Sequence, residues 1–162
     1  MRRGDLANFT GALGVPVDRF AREAALRLVL LINASGQVLA QRGFARALDV
    51  MGVASLGAGI HASSRALAEM LGEAQGFRHL HQGGGGGAGQ VFIGPFTTPA
   101  EELIAIGVFG EDSSIGLVQV FFADFVREVA ALPGWSVARP TADAEAFERD
   151  LEAGLQHAFG RG

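Results

Sequence analysis

Residues 50–76 read VMGVASLGAGIHASSRALAEMLGEAQG, and the rest of the chain is arranged around what they form. The stretch predicts a helix over 49–75, with Asp49 placed to cap its start and Gly76 suited to the position just past its end. Gly52, Gly57 and Gly59 each destabilise a helix interior by about 1 kcal/mol relative to alanine, so some packing must offset them. Small residues recur at four-residue steps in two adjacent rows, Ala54-Ala58-Ala62-Ala66 and Ser55-Gly59-Ser63. A four-residue step keeps each row on one face, giving a flat strip that another backbone can approach. Either this strip packs on the chain's own sheet or it meets its twin in a homodimer, and the small-residue logic favours the twin. Val53, Leu56, Ile60, Leu67, Met70 and Leu71 are then left to cover the sheet.

Upstream, residues 1–26 lean to helix, with Gly14 and Pro16 as breakers and Pro16 suited to the first turn of a helix ending near Leu26. LRLVLLIN, residues 26–33, is an apolar run of strand length, followed by Ala34-Ser35-Gly36-Gln37 and the short run 38–41, which together predict a β-hairpin. Downstream, residues 77–82 read as a strand, Gly83–Gly87 as a loose connection and 90–96 as a strand. Residues 103–109 are apolar throughout, as in a strand covered on both faces. Ser113 or Ser114 caps a last helix in which Ile115, Val118, Phe122, Phe125, Val129 and Leu132 form one stripe. Asp124, Arg127 and Glu128 face away from that stripe, and Pro133 and Gly134 stop the helix. The expected order is α-β-β-α-β-β-β-α, an α/β chain of the α+β type with an antiparallel sheet and helices on its faces. This gives a domain over 1–135, a linker over 136–142 and an acidic amphipathic helix over 143–162. The last carries Phe147, Leu151, Leu155 and Phe159 at four-residue steps. It is either a flap on its own domain or a docking element that folds on a partner.

The 162 residues carry a net charge of −4, and all 13 positive charges are arginine. Without lysine there is no P-loop lysine and no Schiff base; without cysteine there is no thiol catalysis or cysteine-held zinc. No basic stripe suits nucleic acid, and no apolar run approaches the ~20 residues of a membrane helix, so a cytoplasmic protein is expected. The glycine run fails as a phosphate loop because no Gly-Lys-[Ser/Thr] and no helix follow it. His79 and His81 share a strand face at a metal-ligand spacing, but no third ligand accompanies them, and no metal is expected. Glu101-Glu102 and Glu111-Asp112 diverge at turns, and no nucleophile elbow exists. Arg65 has the form of an arginine finger and the setting of an ordinary solvated charge. This inventory points to a binding surface rather than an enzyme, with no catalytic residues and no cofactor.

Ala54-Ser55-Leu56-x-Ala58-Gly59-x-x-Ala62, Leu67-Ala68-x-x-Leu71-Gly72-Glu73, Phe77 and His81-x-Gly83 together resemble the central stretch of the Roadblock family. Ser114-Ile115-Gly116-Leu117-Val118 is similar to the opening of that family's last helix. Within the family the chain is most similar to the bacterial MglB-like regulators, the hairpin Ile32-Asn33-Ala34-Ser35-Gly36-Gln37 included. The resemblance implies a Roadblock/longin-like five-stranded antiparallel sheet. It also implies a homodimer through the long helix (Ala54, Ser55, Ala58, Gly59, Ala62, Ser63) and the neighbouring strand edge (Phe77, His79, His81). The implied partner is a Ras-like small GTPase of the MglA kind, contacted by Ser64, Arg65 and the tail residues Phe147, Leu151, Leu155 and Phe159. Such regulators accelerate GTP hydrolysis without inserting an arginine, their C-terminal helix can tune exchange, and they act in cell polarity and motility. The alternative is a Roadblock scaffold that assembles complexes without stimulating hydrolysis.

Overall fold

The computed structural model describes residues 3–44, 48–83 and 89–136. In chain order the elements are α1 (Arg3–Glu23), β1 (Leu28–Asn33), β2 (Val38–Gly43), α2 (Val50–Met70), β3 (Leu80–Gln82), β4 (Gln90–Thr97), β5 (Glu102–Phe109) and α3 (Ile115–Ala130), closed by a 3-10 turn over Pro133–Ser136. The five strands form one antiparallel sheet in the order β2-β1-β5-β4-β3. The expected element order and architecture are therefore those observed. Of the linker expected over 136–142 only Ser136 is described, in the closing 3-10 turn; the rest of it, the tail expected over 143–162 and Gly84–Gly87 of the glycine run lie outside the described residues.

The two central strands explain the layering. β1 is buried at every position because its side chains alternate between two covered faces. Val29 and Leu31 join Leu103, Ala105 and Phe109 of β5 under α1 and α3. Leu28, Leu30 and Ile32 join Ile104, Ile106 and Val108 under α2. The first face is aromatic: Phe20, Phe96, Phe122 and Phe125 stack and meet edge-on with centroids 5.0 to 6.3 Å apart. Trp135 closes its far end, setting its ring edge-on to Phe9 and donating from Nε1 to the Val129 carbonyl at 2.9 Å.

Several boundaries differ from the sequence expectation. α1 runs unbroken through Gly14 and Pro16. Its stripe Phe9, Leu13, Val17, Phe20 and Ala24 is buried along the whole length, and this packing outweighs the one backbone hydrogen bond that proline removes. The helix ends at Glu23 rather than near Leu26, with Ala25 in the left-handed region (φ 52°) and the Leu26 N–H reaching the Ala21 carbonyl at 2.8 Å. α2 ends the same way: Gly72 (φ 76°) takes the left-handed position, and the Glu73 N–H bonds the Ala68 carbonyl at 2.8 Å. Gly72, not Gly76, is therefore the stop. At the start of α2, Asp49 holds the N-cap position but its side chain accepts no capping bond, whereas Ser114 caps α3 by accepting from Leu117 N–H at 3.2 Å. Glu128 does not face away from the fold; it bonds Arg19 of α1 at 2.6 Å and ties the two helices.

β3 has only three residues, where a strand over 77–82 was expected. Its register sets Leu80 opposite Ile93, so continued pairing would bring Arg78 opposite Pro95, which has no N–H to offer. The Phe77 N–H goes instead to the Ser64 hydroxyl at 2.9 Å.

Candidate functional site

α2 lies on the sheet with its small face, not its large one. Ala54, Gly57, Ala58, His61 and Ala68 are its buried residues. The reason is spatial: Leu28, Leu30, Ile32, Ile104 and Ile106 already fill the layer, so the helix must come close. A Cβ built on Gly57 would stand 2.5 Å from Ile106 Cδ1. This corrects two expectations. Leu56, Ile60, Leu67, Met70 and Leu71 do not cover the sheet, and Ala54 and Ala58 are committed to it rather than to a second chain.

What remains outside is an apolar seam. Leu56 (69% exposed), Leu67 (58%) and Met70 (84%) line up with Ile60 and Ser63 at alternating steps of four and three, the spacing of a helix that meets another helix. Beside them lie the exposed Ser55, Gly59, Ala62 and Ser63, and a Cβ on Gly59 would meet nothing within 4 Å. Of the strip read from the sequence, these four and Ala66 still face outward. The large seam residues were missed because a small-residue row and a large-residue row share the same period. The distinguishing signal was the spacing 54, 57, 58, 61, a face of small residues fit only for a crowded sheet.

The remaining sequence candidates divide. His79 and His81 turn their rings to the α3 side, where His79 stacks on Phe92 and His81 on Phe109, both at 5.9 Å. Gln119 Nε2 donates to His79 Nε2 and His81 Nε2 donates to Gln90 Oε1, each at 2.7 Å. Among the described residues no third histidine, cysteine or carboxylate joins them. Phe77 sits half-buried with its ring edge-on to His61. Ser64, expected to contact a partner, is half-buried and accepts from Phe77 N–H through its hydroxyl. Arg65 is not a free solvated charge: Nη1 lies 2.5 Å from Glu102 Oε2, while buried His61 Nε2 lies 3.1 Å from Glu102 Oε1. Glu101, beside it, has its carboxyl pushed above the ordinary value by burial. Phe147, Leu151, Leu155 and Phe159 lie outside the described residues. Among those described, no helix is long and apolar enough to cross a membrane.

No protein-family model and no curated protein matches the chain. Solved structures do. It superposes on Myxococcus xanthus MglB with a TM-score of 0.64 at 22% identity, over 75% of this chain and 86% of that one. The gliding protein MglB of Thermus thermophilus gives 0.62 at 26% identity, over 75% and 88%. A Roadblock/LC7 domain from Streptomyces avermitilis gives 0.58 at 14% identity, over 72% and 92%. The chain therefore has the Roadblock fold in its MglB-like form.

Proposed function

We propose that this chain is a homodimeric regulator of a Ras-like small GTPase of the MglA kind, raising its rate of GTP hydrolysis and modulating exchange, and acting in bacterial cell polarity or motility. The observation that carries the reading is the exposed seam of α2 on an MglB-like fold. A water-facing row of Leu56, Ile60, Leu67 and Met70 is the kind of surface that a second protein surface covers. Two copies meeting there put Gly59 and Ala62 at the crossing, with Ser55 and Ser63 beside them, and bring the Phe77–His81 edges near each other. The domain is taken as residues 1–135, and the acidic segment 143–162 as the part that docks on the GTPase through Phe147, Leu151, Leu155 and Phe159. With no nucleophile set or lysine in the chain, its action on the partner is to select the partner's hydrolysis-competent conformation.

The dimer is tested by Gly59→Leu. This side chain has open space in the single chain, so the variant keeps its circular dichroism spectrum and elutes as a monomer in light scattering. A dimer of wild-type size would refute the interface. The regulatory reading is tested by GTP turnover of the cognate GTPase with and without the protein. Tight binding with unchanged turnover would make it a scaffold instead.

A further inference from the structure

A cavity of about 450 Å³ opens where β3 stops short. Pro95 ends the pairing, the chain from Ala74 to Arg78 swings away from β4, and the gap is walled by the C-terminal half of α2. The walls are fixed. Phe77 N–H is tied to Ser64, and Gly76 lies so close to α2 that a Cβ there would stand 2.5 Å from Ser64 Oγ. The volume falls within the ~300–1,000 Å³ usual for small-molecule sites.

The charges around this space form a pattern. Glu102 on β5 is held from two sides, by His61 (side chain 6% exposed) and by Arg65. Two carboxylate oxygens offer about four acceptor positions, so Glu102 retains acceptor capacity beyond those two contacts. Arg78 lines the same cavity, and among the described residues its guanidinium has no hydrogen-bond or ion-pair partner. Two guanidinium groups thus face one carboxylate, a local positive excess in a chain of net charge −4. Phe77, Pro95 and Phe96 supply apolar wall between them.

We propose that this pocket binds a free acidic amino acid, a ligand of two carboxylates and one ammonium. Its charges are the inverse of the pocket's. Arg78 takes one carboxylate on its planar fork, where two parallel N–H···O bonds form. The second carboxylate lies toward the guanidinium nitrogens of Arg65 that Glu102 does not use. The ammonium donates to Glu102, and the ligand's methylenes rest on Phe77 and Pro95. Inorganic phosphate satisfies the arginines but presents no ammonium to Glu102 and is repelled by it. A plain dicarboxylate fails in the same way.

The proposal is independent of the dimer and of any GTPase, because the site is complete in one chain. The experiment is calorimetric titration of the full chain with L-glutamate and L-aspartate, and with succinate and inorganic phosphate as competitors of simpler chemistry. Saturable binding of an acidic amino acid is expected in the micromolar to low-millimolar range, at least about tenfold tighter than succinate or phosphate. Arg78→Ala, a surface change that leaves Trp135 fluorescence unaltered, weakens it at least about tenfold. Glu102→Gln narrows the preference for glutamate over succinate. The Gly59→Leu monomer binds as the wild type does. No saturable binding of either amino acid, equal binding of succinate or phosphate, or unchanged binding by Arg78→Ala would each overturn the proposal.

Discussion

Replacing Gly57 by alanine tests the account of how α2 meets the sheet, because two effects of known size oppose each other there. Alanine in place of a mid-helix glycine stabilises by about 1 kcal/mol. The new Cβ, however, arrives 2.5 Å from Cδ1 of Ile106, a fully buried residue with little room to turn away. Overpacking of this kind costs about 1–3 kcal/mol, so Gly57→Ala should be neutral or destabilising by up to about 2 kcal/mol. Ile106→Val removes the obstructing methyl and by itself costs about 0.5–1.5 kcal/mol. In that background the same alanine has room and should stabilise by about 1 kcal/mol. The cycle therefore predicts a favourable coupling of about 1–3 kcal/mol between two residues distant in sequence. Urea unfolding at fixed protein concentration, followed through Trp135, the single tryptophan, measures all four corners. If Gly57→Ala stabilises by the full helix-propensity gain in both backgrounds, the close approach of α2 to Ile106 is wrong.

Ala25 occupies a left-handed position at the end of α1 (φ 52°), so Ala25→Gly should raise stability by about 1 kcal/mol. Thermal melting would show this as a rise of about 2–4 °C for a domain of this size. Because burial raises the Glu101 carboxyl above its ordinary value, the folded state holds that proton more tightly than the unfolded chain does. Its contribution is therefore fully present below the ordinary carboxylate pKa and lost as pH rises through the raised value. Glu101→Gln should accordingly stabilise at neutral pH and give no gain in acid, a difference read from melts across that range; the turn itself persists because Thr98 holds the backbone of residue 101. Removing residues 140–162 should leave the melting temperature and Trp135 emission unchanged while altering GTP turnover or nucleotide exchange in the partner. Unaltered turnover and exchange would remove the tail from the regulatory reading.

The layer plan was legible because LVLLIN and LIAIGVF are apolar without alternation, and only a strand covered on both faces reads so. The turn was legible from Ala34-Ser35-Gly36-Gln37, where Gly36 takes a positive φ of 87° and Asn33 Oδ1 accepts from Ser35 and Gln37 N–H at 3.2 and 2.9 Å. What misled was local chemistry overruled by packing. Pro16 and Gly14 look like breakers until the buried stripe from Phe9 to Ala24 is seen to bind them into one helix. Gly72 and Gly76 are equally good stops in isolation, and only the hydrogen bond from Glu73 to Ala68 distinguishes them. The orientation of α2 was the deeper error. A period of 3.6 says that large and small residues lie on different faces, but not which face the sheet has room for. The pocket was invisible for a related reason: His61 and Arg65 meet Glu102 where α2 lies on β5, and Arg78 joins them because the β3–β4 pairing stops before Pro95, a residue that carries none of the chemistry.

The unequal attachment of the helices has a dynamic consequence. α1 and α3 are anchored by phenylalanine, leucine and valine side chains, each contributing about 1.5–3 kcal/mol on full burial. α2 is fastened largely by alanines, a glycine and one histidine, whose apolar contribution is a fraction of that. Among α1, α2 and α3 it is the one most weakly fastened by its own chain, so its amides should exchange with deuterium earliest of these in dilute solution. Any molecule that settles over Leu56 and Leu67 clamps it shut, and protection at α2 then follows concentration while protection at α1 and α3 does not. Recruitment and folding are in this way one equilibrium, written along a single helix.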